Sequence, residues 1–222
     1  MRLLIVRMSM PGERRNLPLE RWLRAREGEG HVLREAGYSE RIDVKRCREL
    51  QRFLDSDPSC DAILMVDSDM VPLDTSKAIV GKDGPDVGWC QAVTRQGGLS
   101  HTVDGSCSCA MLRISRRAAE RIQKPFFRFT TDEANAKTVR CECDWFAGQA
   151  RAAGFHPVKV GTAGHLITVM AFPTETGIGF MYEHETDAAI LPGLSPSLPS
   201  AGSPERASES ETQHPQQRPA QG

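Results

Sequence analysis

No stretch of this sequence approaches the roughly 20 consecutive apolar residues needed to cross a bilayer, so no transmembrane segment is expected. The opening MRLLIVRMSMPGERR holds only a short apolar run, with most of its basic residues after it. A secretory signal needs basic residues first, then a longer apolar stretch and a small-residue cleavage site, so the chain reads as soluble and cytoplasmic. Net charge is also lacking: 28 Lys and Arg stand against 29 Asp and Glu, leaving −1. Without a global field, recruitment to nucleic acid or to a membrane surface is not expected. Internal repeats are absent. The seven cysteines are odd in number and too sparse for a disulfide scaffold, which agrees with a reducing compartment.

What is present suits one sizeable core. A chain of 222 residues with average hydrophobic content is expected to form one domain, placed at residues 1–186. From residue 187 to 222 the composition shifts to Pro, Ser, Gly, Glu and Gln without apolar periodicity, and this tail is expected to be disordered. The N-terminal fifty or so residues are locally basic, with Arg14, Arg15, Arg21, Arg24, Arg26, Arg46, Arg48 and Arg52. They form either a solvated surface or an anion-binding wall.

Strand and helix signals alternate. Leu3 to Val6 reads as a short buried strand, and Leu19 to Arg26 as a possible helix. From Ile42 to Leu54 a helix is expected, with Val44, Cys47, Leu50 and Leu54 on its apolar face and Asp55-Ser56-Asp57-Pro58 as its stop. No second strand is evident before Ala62-Ile63-Leu64-Met65-Val66, a continuous apolar run that reads as a buried central strand. Further strands are expected at Val87 to Val93 and Gly105 to Ile114. Ser115 suits the cap of a helix that ends before Pro125. Asp144 to Ala153 suits a short helix stopped by Gly154, and Phe155 to Val160 a last strand. The alternation predicts an α/β fold with a mostly parallel, Rossmann-like sheet flanked by helices.

The candidate chemistry gathers at three places. Asp67-Ser68-Asp69 sits where the buried strand leaves the sheet, and ligands of open α/β sheets bind beyond the carboxyl ends of strands. Two carboxylates so close repel unless positive charge lies between them, and Mn²⁺ or Mg²⁺ would supply it through oxygen ligands. Glu142 and Asp144 form a second acidic group. Either could act as general base toward an acceptor hydroxyl; alternatively, Asp144 is a helix N-cap and Glu142 an exposed turn residue. The third is His165 after Gly164, a structural residue or a nitrogen ligand that completes a cation site. Two Cys-x-Cys pairs, Cys107/Cys109 and Cys141/Cys143, read either as core cysteines or as a zinc site.

Taken in order, ILMVDSDMVP, CAMLRISRRAAERI, CECDWFAGQARAAGF and GTAGHL resemble the nucleotide-sugar-binding GT-A glycosyltransferases, nearest to family 2 and its small bacterial or phage-type relatives. The resemblance covers roughly Ile42 to Leu166. It implies a GT-A-like fold and a metal-dependent transfer of sugar from a nucleoside-diphosphate sugar to an acceptor hydroxyl, with inversion as the family expectation. It places Asp67 against the nucleoside or a cation-bound water, Asp69 on the cation at the diphosphate, and His165 as the histidine that completes the cation site. It also places Glu142 and Asp144 in the acceptor loop, and Arg46 and Arg48 near the nucleotide. The sequence departs from the pattern at Cys143, which stands where the usual adjacent Glu-Asp pair has its Asp. The base has then moved to Asp144 or is absent. A degenerate domain that binds nucleotide or sugar without transfer, a Mg²⁺-dependent enzyme of phosphate esters, and a zinc-binding interaction protein are the competing readings.

Overall fold

The computed structural model describes residues 1–9, 16–37, 41–93, 107–132, 137–166, 168–174 and 177–182. The tail expected from residue 187 onward lies outside them, as do Arg14, Arg15, Gly105 and Ser106. Among the described residues, eleven strands and four α-helices follow one another. These are β1 (Leu3–Met8), α1 (Leu17–Gly28), β2 (Val32–Ala36), α2 (Ile42–Ser56), β3 (Ala62–Asp67), β4 (Met70–Pro72), a 3-10 helix (Asp74–Val80), β5 (Val87–Val93) and β6 (Met111–Ser115). Then come α3 (Arg116–Arg121), β7 (Thr130–Asp132), β8 (Lys137–Arg140), α4 (Glu142–Ala152), β9 (Val158–His165), β10 (Thr168–Thr174) and β11 (Gly177–Tyr182).

Seven strands form the main sheet in the order β2-β1-β3-β6-β5-β9-β4. β1 runs parallel to β2 and β3, and β5 parallel to β9. β6 is antiparallel to both of its neighbours, and β4 is antiparallel to β9. The fold is α/β, but the sheet is mixed and not mostly parallel. The expectation failed because a strand buried on both faces reads as a continuous apolar run whichever way it points. β1 and β3 show this burial: Leu4, Val6, Ile63 and Met65 pack toward Phe53 and Phe146, whereas Leu3, Ile5, Leu64 and Val66 pack toward Leu19, Leu23 and Ile79. Residues two apart share a face, so the same run feeds two cores.

Three further expectations are corrected. A second strand, β2, does precede β3; as VLREA at the sheet edge it is only half buried apart from Ala36, which hides its signal. Phe155 to Val160 is not the last strand, since β9 runs to His165 and the β10–β11 hairpin follows. On α2 the buried side carries Asp43, Arg46, Leu50 and Phe53, and Val44 is exposed. The helix is rolled this way because its charges find buried partners. Lys45 Nζ donates to the Ser9 carbonyl at 2.5 Å, and Asp43 accepts from Arg41 and from the Phe129 N–H. Among the described residues, no helix is long and apolar enough to cross a membrane.

Candidate functional site

β3 delivers Asp67 to the carboxyl edge of the sheet, and Ser68-Asp69 turns the chain into β4. The turn is held from several sides. The Asp67 N–H donates to Ala110 O at 2.8 Å, Ser68 Oγ donates to Met8 O at 3.0 Å, and the Leu166 N–H donates to Asp69 O at 2.9 Å. Asn16, which the sequence reading did not single out, holds it from α1. Its Nδ2 donates to the carbonyls of Ser68 and Met70 at 2.8 and 2.9 Å, while its Oδ1 accepts from the Leu19 N–H. The signal was available: an Asn two residues before Pro18 has the pattern of a helix N-cap.

Beneath the turn lies Arg46, 1 % exposed. Nη2 donates to both oxygens of Asp67 at 2.6 and 2.8 Å and to Cys109 O at 3.2 Å, and Nη1 donates to Glu142 Oε1 at 2.5 Å. Burial works against the charge of Arg46, but Asp67, the sulfurs of Cys109 and Cys143, and Glu142 outweigh it, so its pKa lies above the ordinary value. Asp67 is pushed up to about 7 by burial; Arg46 opposes the rise, and Asp69 and Glu142 add to it. One guanidinium is thus shared by the carboxylates of Asp67 and Glu142, with Asp69 close enough to act on Asp67.

A cleft of about 230 Å³ opens over this group, lined by Met8, Ile42, Arg46, Asp67, Ser68, Asp69 and Glu142. The antiparallel pairing of β4 with β9 sets Met70 opposite His165 and brings the histidine to the cleft edge, where its Nε2 lies 3.0 Å from Asp69 Oδ2. The hydrogen bond with Asp69 raises the His165 pKa above 6.5 against the effect of burial. Asp69 and His165 remain 30 and 37 % exposed and can turn toward a ligand. Two carboxylates and an imidazole are a donor set that fits a divalent cation such as Mn²⁺ or Mg²⁺. Asp67, Asp69 and His165 are nevertheless not drawn tightly together. Among the described residues, the trio of metal-capable side chains within 4.8 Å of one another is Cys141, Glu142 and Cys143.

The remaining site candidates separate. Glu142 is neither exposed nor in a turn: it opens α4, is 7 % exposed and lines the cleft. Asp144 is not the N-cap. Cys141 caps α4 with its Sγ accepting the Asp144 N–H at 3.5 Å, and the Asp144 carboxylate accepts from that thiol, away from the cleft lining. Arg46 lines the cleft, with its guanidinium engaged by Asp67 and Glu142. Arg48 pairs with Glu49 at 3.2 Å and does not line the cleft. Arg26 on α1 and Arg52 on α2 also meet acids, Glu29 and Glu49.

No family model matches the chain, and comparison with curated proteins finds no match. Among solved structures the chain is similar to A197 from STIV, with a TM-score of 0.55 and 18 % identity over 83 % of this chain and 96 % of that one. That likeness is one of fold. Two glycosyltransferase structures are similar at a greater distance. One is involved in glycosylation of the major capsid of PBCV-1, with a TM-score of 0.33 and 15 % identity over 55 % of this chain and 69 % of that one. The other is a Drosophila β-1,4-galactosyltransferase 7 variant in complex with manganese, UDP-Gal and xylobiose, with a TM-score of 0.45 and 10 % identity over 80 % of this chain and 92 % of that one. Both scores are too low to carry an argument about this chain.

Proposed function

We propose that the cleft binds a nucleoside-diphosphate sugar and passes the sugar to an acceptor hydroxyl, as in the GT-A glycosyltransferases whose motifs the sequence resembles. The observation that carries this reading is the convergence of Asp69 with His165, from 96 residues away, beside Asp67 at the carboxyl end of a central strand. A Mn²⁺ or Mg²⁺ ion held by Asp69 and His165, with Asp67 behind them, would offset the charge of the departing nucleoside diphosphate. Arg46 holds Asp67 and Glu142 in place from below. It sets both carboxylates on the wall of one cleft.

Glu142 is the base in this reading. Of the two acids in the first turn of α4 it is the one that lines the cleft, and it would take the proton of the attacking hydroxyl as the bond to the anomeric carbon forms. Asp144 then serves the start of α4 through Cys141. The donor sugar is not encoded in any feature of the cleft described above, so a screen is the test. Thermal shift with nucleoside-diphosphate sugars, with and without Mn²⁺, should show stabilisation that needs both ligands. Identical melting with every donor and cation would overturn the reading.

One observation favours a second reading, a domain that binds nucleotide or sugar without transfer. Glu142 Oε1 is engaged by the Arg46 guanidinium at 2.5 Å, so that oxygen is already occupied by a partner within the protein. Metal-dependent donor binding without hydrolysis or transfer to any acceptor would select it.

A further inference from the structure

We infer that the surface formed by α4 and the segment between α3 and β7 docks an anionic polysaccharide, the acceptor chain whose hydroxyl would reach Glu142. The inference rests on the transfer reading, because that reading makes the partner a hydroxyl-bearing chain.

Four exposed cations gather here: Arg121 at the end of α3, Lys124, Arg128, and Arg140 at the end of β8. Among the described residues, none of the four is paired with a carboxylate. Exposed basic side chains elsewhere are matched by acids, as Arg41 is by Asp43, Lys77 by Asp74 and Arg117 by Asp86. The four are held by aromatic rings instead. Arg128 and Arg140 lie 5.5 and 5.8 Å from the centre of the Trp145 ring, Lys124 5.9 Å from that of Phe126, and Arg121 5.4 Å from that of Phe155. Contact with a ring steadies a cation but leaves its charge without a counter-ion. Asp86 is taken by Arg117 and the Asp144 carboxylate by the Cys141 thiol, so among the described residues of this stretch Glu120 is the acid set against four cations.

Hydrogen bonds tie this surface to the helix that starts at the cleft. Trp145 Nε1 donates to Pro125 O at 2.8 Å, Gln149 Nε2 donates to Gln123 O at 3.3 Å, and Arg140 Nη2 donates to Asp144 O at 2.8 Å. Trp145 and Gln149 follow Glu142 on α4, so the helix leads away from the cleft along this surface for about 10 Å. Two hollows that share Arg121 continue it. One, of about 110 Å³, is lined by Arg121, Gln123 and Gln149 among others; the other, of about 400 Å³, includes Arg117, Arg121, Phe155 and His156 in its lining. Cations with side-chain amides between them suit a chain that repeats carboxylate or phosphate groups and hydroxyls. Single-stranded nucleic acid fits less well, because its bases need open aromatic faces. Phe126 and Phe155 are buried, and Trp145 is engaged by two guanidiniums and the Pro125 carbonyl.

The test is binding of the full chain to alginate and to phosphorylated dextran, measured by calorimetry without donor or metal. At least one of the two should bind, more weakly as salt rises, and the pair tells carboxylate from phosphate recognition. Unmodified dextran should not bind. Arg121→Gln/Arg128→Gln should weaken binding by roughly tenfold at low salt, the scale of two charge contacts in water. Arg24→Gln/Lys82→Gln removes the same charge from exposed residues outside this surface and should change binding far less. No binding of wild type to either charged polymer, equal loss in the two double variants, or tighter binding of an oligothymidylate of matched charge would overturn the inference. The wild-type comparison of phosphorylated dextran, alginate and plain dextran decides the matter even where a variant fails to fold. Asp69→Ala should bind the polymer as wild type does, and Arg121→Gln/Arg128→Gln should keep Mn²⁺-dependent binding of a nucleoside diphosphate. Failure of donor binding in the wild type therefore counts against the transfer reading, and failure of polymer binding against this inference.

Discussion

Arg46 reaches from α2 to the end of β3 and donates to both carboxylate oxygens of Asp67, at 2.6 and 2.8 Å. The same guanidinium holds Glu142, so one buried cation joins the strand end that would face a diphosphate to the helix start that would face an acceptor. The geometry of the cleft therefore depends on a residue that contributes little of its open surface.

Replacing Arg46 by Met should strand two carboxylates on a low-dielectric wall. The expected cost is about 3 kcal/mol or more, as for removal of one partner from a buried ion pair. Urea unfolding of the wild-type and Arg46→Met proteins measures it. Arg46→Lys should recover part of the loss, because a single ammonium cannot serve both acids in the same geometry.

Asn16→Ala removes the cap of α1 and both hydrogen bonds that hold the Ser68 and Met70 carbonyls. A loss of about 2 kcal/mol is expected from the cap and the stranded acceptors together. Unlike a change at the surface of α1, it should also weaken cation binding, since the turn that positions Asp69 loosens. Calorimetric titration with Mn²⁺ alongside urea unfolding checks both effects.

Much of this arrangement was legible in the residues. The apolar run Ala62 to Val66 ending in Asp67 marked a buried strand and its exit, and both are found. Gly154, with φ of +86°, ends α4 as its type suggested. What sequence concealed is what depends on tertiary partners. The pattern of α2 set Val44 inward, but Arg46 and Asp43 are the buried residues, because their partners lie on β3, α4 and the segment near Phe129. The direction of β6 cannot be read from a run buried on both faces. The separation of Glu142 from Asp144 follows from Cys141 taking the cap of α4, a role in which Cys is not a favoured residue.

Asp86 gives a pH-dependent test of the fold away from the cleft. Its hydrogen bonds with Arg117 hold its pKa below 3.8; burial opposes this, and the bond from Ser115 Oγ at 2.5 Å adds to it. A group with a lowered folded pKa contributes stability that is present above its unfolded pKa and is lost as pH falls through the folded value. The stability difference between wild type and Asp86→Asn should therefore be constant from neutral pH down to about 4 and shrink below it. Urea midpoints across that range read the effect.

For the chemistry, Glu142→Gln and Asp144→Asn separate the two acids of the first turn of α4. Loss of a general base lowers turnover by roughly 10²–10⁴-fold, and this is expected of Glu142→Gln. Asp144→Asn should stay within a few-fold of wild type, because its carboxylate meets the Cys141 thiol and does not line the cleft. A transfer or donor-hydrolysis assay on both variants, with circular dichroism to confirm folding, gives the comparison.

The most direct measurement is calorimetric titration of a nucleoside diphosphate into wild-type and Asp69→Ala protein, each with and without Mn²⁺. The account predicts Mn²⁺-dependent binding in the wild type and its loss in Asp69→Ala, with the fold intact by thermal unfolding. Equal Mn²⁺-dependent affinity in both proteins would contradict it.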